Sequence, residues 1–173
     1  MADSQRVLPT SKPEPHLLGI YLNDHLAGSA GGLELAKRLA DGHRDTAAAD
    51  DLAWLVEQVA EDRDALIQIL VQLKLPRTRY KEPLAWAAEK VGRLKPNGHL
   101  LDRSPLSSVV ELEGMKLGVT GKLSAFRTLR TLADTDTRLD PAVLDELINR
   151  AQEQIARLEQ LRVRAVVEAF GPR

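Results

Sequence analysis

Apolar residues recur every three or four positions along most of the chain, and that spacing predicts four long helices. The first runs from about His16 to Asp41, with Leu18, Leu22, Leu26, Leu33, Ala36 and Ala40 on its stripe; Leu17, Ile20, Ala27 and Leu35 widen it, and Gly42 closes it. The second spans about Thr46 to Leu75, its inner face carrying Leu52, Leu55, Val56, Val59, Leu66, Ile69, Leu70 and Leu73, before Pro76 stops it. A third opens on Ser104 as N-cap, with Pro105 in the first turn, and continues through Leu106, Val109, Val110, Leu112, Leu117, Leu123 and Leu129 to Leu132. The fourth has the clearest signals: Asp140 and Pro141 start it, Leu144, Leu147, Ile148, Ala151, Ile155, Leu158, Leu161, Ala165 and Val166 form its stripe, and it ends near Phe170 ahead of Gly171-Pro172.

The connections decide how these helices are joined. GHRD after the first helix and the stretch around Asp134 to Leu139 are short, so each links antiparallel neighbours. Pro76 to Arg103 is far longer. It holds a polar run, RTRYKEP, then PLAWAAEKVGRLK, which can form a short helix on Leu84, Ala88, Val91 and Leu94, then a Pro96-Asn97-Gly98 turn. That length suits a crossover returning the chain to the opposite end, not a hairpin. Residues 1–15, MADSQRVLPTSKPEP, read as a disordered arm, leaving 16–170 as one all-α domain.

This order of long helices, short hairpins and one long middle connection resembles the ferritin-like four-helix bundles, over roughly Leu17 to Phe170. The runs YLNDHLAG, RLKPNG and SPLSSVVELEGMKLGVTGK are similar to stretches of uncharacterised bacterial ferritin-like proteins, which carry no established activity to transfer. The resemblance implies that helix 1 lies antiparallel beside helix 3, with helices 2 and 3 diagonal. Aligning the midpoints of helices 1 and 3 brings Gly28, Gly31 and Gly32 level with Gly114, Gly118 and Gly121. Six glycines inside helices cost on the order of 5 kcal/mol in helix propensity. Two readings follow: close backbone packing of the two helices, or room left for a ligand.

A ferritin-like di-iron site needs carboxylates from two helices and Glu-x-x-His from the other two. No Glu-x-x-His occurs in the chain, and of His16, His25, His43 and His99 only His25 falls well inside a long helix. Near its level stand Asp62, Gln152 and Thr120. A hydrogen-bonded His25–Asp62 pair is the simplest arrangement; weak binding of a single divalent ion by these two residues is the alternative. Glu113, four residues after Val109 on the apolar stripe, has Glu34, Lys37, Lys116, Glu159 and Arg162 near its level, and an ion-pair cluster there would satisfy it. The core polar candidates are therefore His25, Asp62, Glu113 and Arg162. Lys116, Lys122, Arg127 and Arg130 read as a solvated basic face. Trp54 and Trp86 lie off their stripes, to be covered by the crossover or by a second copy in a homodimer.

Composition narrows the functions. With 24 basic and 25 acidic residues and 3% aromatics, the chain has neither the field nor the stacking platform for nucleic acid. There is no cysteine, which excludes thiol chemistry, and no apolar run of membrane-spanning length, so a cytoplasmic location is expected. The expectation is a bundle without a di-iron centre or other cofactor that works as a binding or interaction module. A metal-dependent oxidoreductase or metal-storage protein built around His25, Asp62 and Glu113 is the alternative.

Overall fold

The computed structural model describes residues 15–77 and 104–172. Among them are four helices: α1 (Pro15–Gly42), α2 (Ala49–Gln72), α3 (Pro105–Leu132) and α4 (Pro141–Phe170). The expected short helix around Leu84 to Leu94, the path of the crossover, Trp86 and the N-terminal arm up to Glu14 lie outside the described residues.

Cross-helix contacts fix the directions. Tyr21 meets Thr128 while His43 meets Ser108, so α1 and α3 are antiparallel. Lys116 with Glu159 and Arg130 with Asp145 make α3 and α4 antiparallel as well. Asp62 pairs with Gln154 and Asp51 with Arg157 across α2 and α4. Backbones approach closely for α1–α2, α1–α3 and α3–α4 and more sparsely for α2–α4, whereas α1–α4 and α2–α3 make no close approach among the described residues and are the diagonals. It follows that α2 and α3 point the same way.

Two apolar clusters fill the interior. One centres on Leu39, Leu52, Leu55, Leu112, Ala151 and Leu158; the other, toward the opposite end, on Leu22, Leu70, Phe126, Leu129, Leu144 and Leu147. An alternation of three and four runs along the interior of three helices. It passes through Leu52, Leu55, Val59, Asp62, Leu66 and Ile69 in α2 to Leu73 just past its end; through Leu112, Met115, Val119, the largely covered Lys122, Phe126 and Leu129 in α3; and through Leu144, Leu147, Ala151, Gln154, Leu158, Leu161 and Ala165 in α4, while Leu70 on α2 and Val109, Leu123 and Ala125 on α3 widen the buried face. Such spacing is that of helices packed knobs-into-holes at shallow angles. Each stripe carries one polar residue, and all three meet.

Three ends are built differently from expectation. Asp140 caps α4 as expected, its carboxylate accepting from the Ala142 amide at 2.9 Å, but Ser104 holds the corresponding place on α3 without a side-chain bond. His43, which the sequence places only in a loop, ties α1 to α3: its ring nitrogens lie 2.8 Å from the Leu39 carbonyl and 3.0 Å from the Ser108 hydroxyl. The second helix ends before Pro76, because Lys74 turns left-handed (φ 57°) and the Leu75 amide donates back to the Leu70 carbonyl at 3.0 Å. A lysine there bears the steric penalty that glycine avoids. Lys74→Gly is expected to stabilise the fold by about 0.5–1 kcal/mol, net of the added freedom of the unfolded chain, as read from urea denaturation.

Candidate functional site

A cleft of about 460 Å³ opens between α1 and α3 and reaches down to α2. Tyr21, His25, Gly28, Ser29, Gly32 and Leu35 line it from α1, with Asp24 at its edge. From α3 come Gly114, Met115, Gly118, Val119, Lys122 and Phe126, and from α2 Val59, Asp62, Arg63 and Leu66. The walls are chiefly apolar. At one end Tyr21 and Thr128 close the two helices together, their hydroxyls 3.3 Å apart; toward the other, Arg38 of α1 lies 3.0 Å from Glu111 of α3.

The glycines explain the opening. A Cβ built at Gly28, Gly32, Gly118 or Gly121 would meet nothing within 4 Å, and one at Gly114 would only touch Leu35 at 3.7 Å. Close backbone packing would have left no such space, so that reading of the seam is overturned. Gly28, Gly32, Gly114 and Gly118 share the cleft as the midpoint alignment implies, while Gly31 and Gly121 are not among its lining residues.

At the cleft floor lies the polar layer. Asp62 is fully buried, and its Oδ2 accepts from the Lys122 ammonium and from the Gln154 amide at 2.9 Å. Lys122 Nζ also donates to Gln154 Oε1 at 2.5 Å, closing a triangle between α2, α3 and α4. Arg150 Nε stands 2.7 Å from the other oxygen, Oδ1, but its N–H is not aimed there, so charge proximity joins them without a hydrogen bond. The Arg150 guanidinium reaches outward to Glu61 at 2.9 Å. One buried carboxylate is thus shared by two cations. Burial pushes the Lys122 amine below the ordinary lysine value and Arg150 pushes the same way, while Asp62 pulls it up by charge and hydrogen bond.

This layer corrects several expectations. Asp62 is buried and polar, but its partners are Lys122, Gln154 and Arg150, and no hydrogen bond to His25 forms. The His25 ring instead packs edge-on against Tyr21, centroids 4.6 Å apart. Burial lowers its imidazole from the ordinary histidine value, with Asp24 pulling the other way, so the ring is neutral at pH 7. Lys122 is no part of a solvated face: 18% of its side chain is exposed, because it stands on the stripe between Val119 and Phe126. Gln154, not the exposed Gln152, is the buried amide of α4.

Glu113 leaves the core altogether. Its side chain is 51% exposed and faces Arg162 at 3.8 Å, whereas Glu111, two residues earlier, is the buried carboxylate of α3. The expected ion-pair cluster forms at the surface: Arg162 and Lys116 converge on Glu159 at 2.6 Å each, while Lys37 pairs apart from it with Glu34. Hydrogen bonds from Arg162 and then Lys116 pull the Glu159 carboxyl down to about 2. A depressed carboxyl adds stability above its unfolded value, near 4.3, and loses it as pH falls through the folded value. Glu159→Gln is therefore expected to lower the melting temperature at pH 7 and to match the unaltered protein near pH 2. Trp54 is covered on one face by the Arg157 guanidinium, 3.9 Å from the ring centroid.

Among the described residues no three His, Asp or Glu side chains converge as a metal site requires. The donor set also fits poorly by chemistry, because Asp62 is already engaged by two cations and an amide. No helix among those residues is long and apolar enough to cross a membrane. Comparison with protein-family models, with curated proteins and with solved structures finds no match to this chain.

Proposed function

We propose that the protein is a bundle of ferritin-like connectivity without a di-iron centre, and that it binds a small, largely apolar molecule in the α1–α3 cleft. The observation that carries this is the cleft itself. Its volume lies in the range of small-molecule sites, and its apolar walls meet a few polar groups at the floor and edge, as in such sites generally. Asp24 and Asp62 balance Arg63 and Lys122 in charge, and His25 is neutral, so an uncharged ligand with one hydrogen-bonding head suits it best. Neighbouring helices α1 and α3 and diagonal α2 and α3 support the ferritin-like connectivity; the missing metal ligands argue for binding over redox chemistry.

Titration with the neutral apolar dye Nile red tests the reading. One saturable site is expected, lost when Gly28→Leu and Gly118→Leu together fill the cleft. Equal binding by the filled variant, with its helicity intact, would refute the assignment. Metal analysis tests the metal alternative: stoichiometric iron or manganese, lost in His25→Ala, would favour an oxidoreductase or storage protein instead.

A further inference from the structure

The geometry points to Lys122 as a carbonyl-reactive amine: we propose that the cleft takes an apolar aldehyde or ketone and holds it as an imine on Lys122 Nζ. This rests on the binding reading above and adds the chemical class of the ligand. Three features carry it. First, Lys122 lines the α1–α3 cleft of about 460 Å³ together with Asp62, Val59, Leu66, Met115, Val119 and Phe126, and its amine sits on Asp62 where that cleft meets the polar layer. A lysine on an apolar stripe with an open cavity before it differs from a snorkelling surface lysine, whose head is in water.

Second, proton acceptors are in place. Asp62 Oδ2 and Gln154 Oε1 each take one of the three ammonium protons. In the reaction the ammonium gives a proton to Asp62, and the freed nitrogen lone pair adds to the carbonyl carbon. Asp62 returns its proton to the former carbonyl oxygen, which leaves with a second proton from nitrogen as water while the C=N bond forms. One carbonyl and one primary amine become one imine and one water, with no change of oxidation state.

Third, Asp62 does not depend on Lys122 alone. Neutralising one member of a buried ion pair normally strands the other. Here Arg150, 2.7 Å from Oδ1, and the Gln154 amide, 2.9 Å from Oδ2, remain when the lysine loses its charge. Desolvation of the amine acts in the same direction, since it enlarges the neutral, nucleophilic fraction.

Reductive trapping of the full chain decides the matter. The protein is incubated at pH 7 with 2-naphthaldehyde and cyanoborohydride, which delivers hydride to the imine carbon, and alkylation of each lysine is followed by peptide mapping. Lys122 is expected to react several-fold faster than the exposed Lys74, because the cleft gathers the aldehyde beside it, and to reach its plateau rate at lower pH, the direction in which burial moves the amine. Gly118→Leu, which blocks the cleft and spares the polar layer, is expected to bring the Lys122 rate down to that of Lys74. Lys122 reacting no faster than Lys74, or with the same pH profile, overturns the proposal. Nile red bound without preferential trapping would defeat the imine alone; neither bound dye nor trapping would defeat the binding site too.

Discussion

Asp62→Ala is expected to destabilise the protein by about 3–5 kcal/mol, the typical result of removing one partner from a buried ion pair. The cause is what remains. Lys122 and Arg150 would face each other across a cavity, with Gln154 Oε1 as the acceptor left near the lysine. Against a whole-domain stability of about 5–15 kcal/mol, that loss is a large shift in urea midpoint. The control is a variant in which Asp62, Lys122 and Gln154 all become leucine or methionine. Replacing a polar layer together is often neutral or stabilising, and its role is then register, as a polar residue fixes register in coiled coils. Should Asp62→Ala cost under about 1 kcal/mol, the layer is more hydrated than its burial implies.

The glycines give the opposite sign. Ala at Gly28, Gly32, Gly118 and Gly121 together is expected to raise stability by about 3–4 kcal/mol. Each replacement recovers about 1 kcal/mol of helix propensity, and no added Cβ meets another atom. The sites lie on two helices separated by open space, so their effects should nearly add. The same variant should bind Nile red more weakly, because three of the four methyls project from cleft-lining positions. Greater stability with poorer binding is the pattern expected where function keeps a fold from its most stable form. A net loss of stability would instead show that the helices close on one another in solution.

How far the chain itself announced this can be judged on α3. Its length, its start after Ser104 and its antiparallel neighbours follow from spacing and loop length. Its buried face followed in part: Val109, Leu112, Leu123 and Leu129 are buried as expected, but Leu117, five residues from one and six from the next, is 73% exposed. The regular series runs through Met115, Val119 and Phe126, and read that way it places Lys122 inside. A cation on an otherwise apolar series was the available signal for the polar layer, and Asp62 and Gln154 occupy equivalent places on α2 and α4. Glu113 misled for the same reason, since the register that buries Leu112 and Met115 puts Glu111 inward and Glu113 out.

The seam was legible as a place but not as a shape. Glycine permits both close approach and empty space, and only neighbouring atoms decide between them. Nor could residue types show which partner Asp62 chooses, because His25 and Arg150 stand on its antiparallel neighbours and Lys122 on the diagonal helix, all near its level. The choice falls to side-chain length and direction. Lys122 and Arg150 reach across the bundle, while His25 spends its ring on Tyr21.

Tyr21 with Thr128 and His43 with Ser108 fasten α1 to α3 at opposite extremities, leaving its middle unsupported on that side. Mechanically α1 is a beam clamped at both ends. Its lowest-cost deformation is to bow at Gly28–Gly32, where the backbone is least stiff, not to swing about a hinge. A guest would therefore be admitted by flexure of the span, and amide hydrogen exchange should be fastest at its centre.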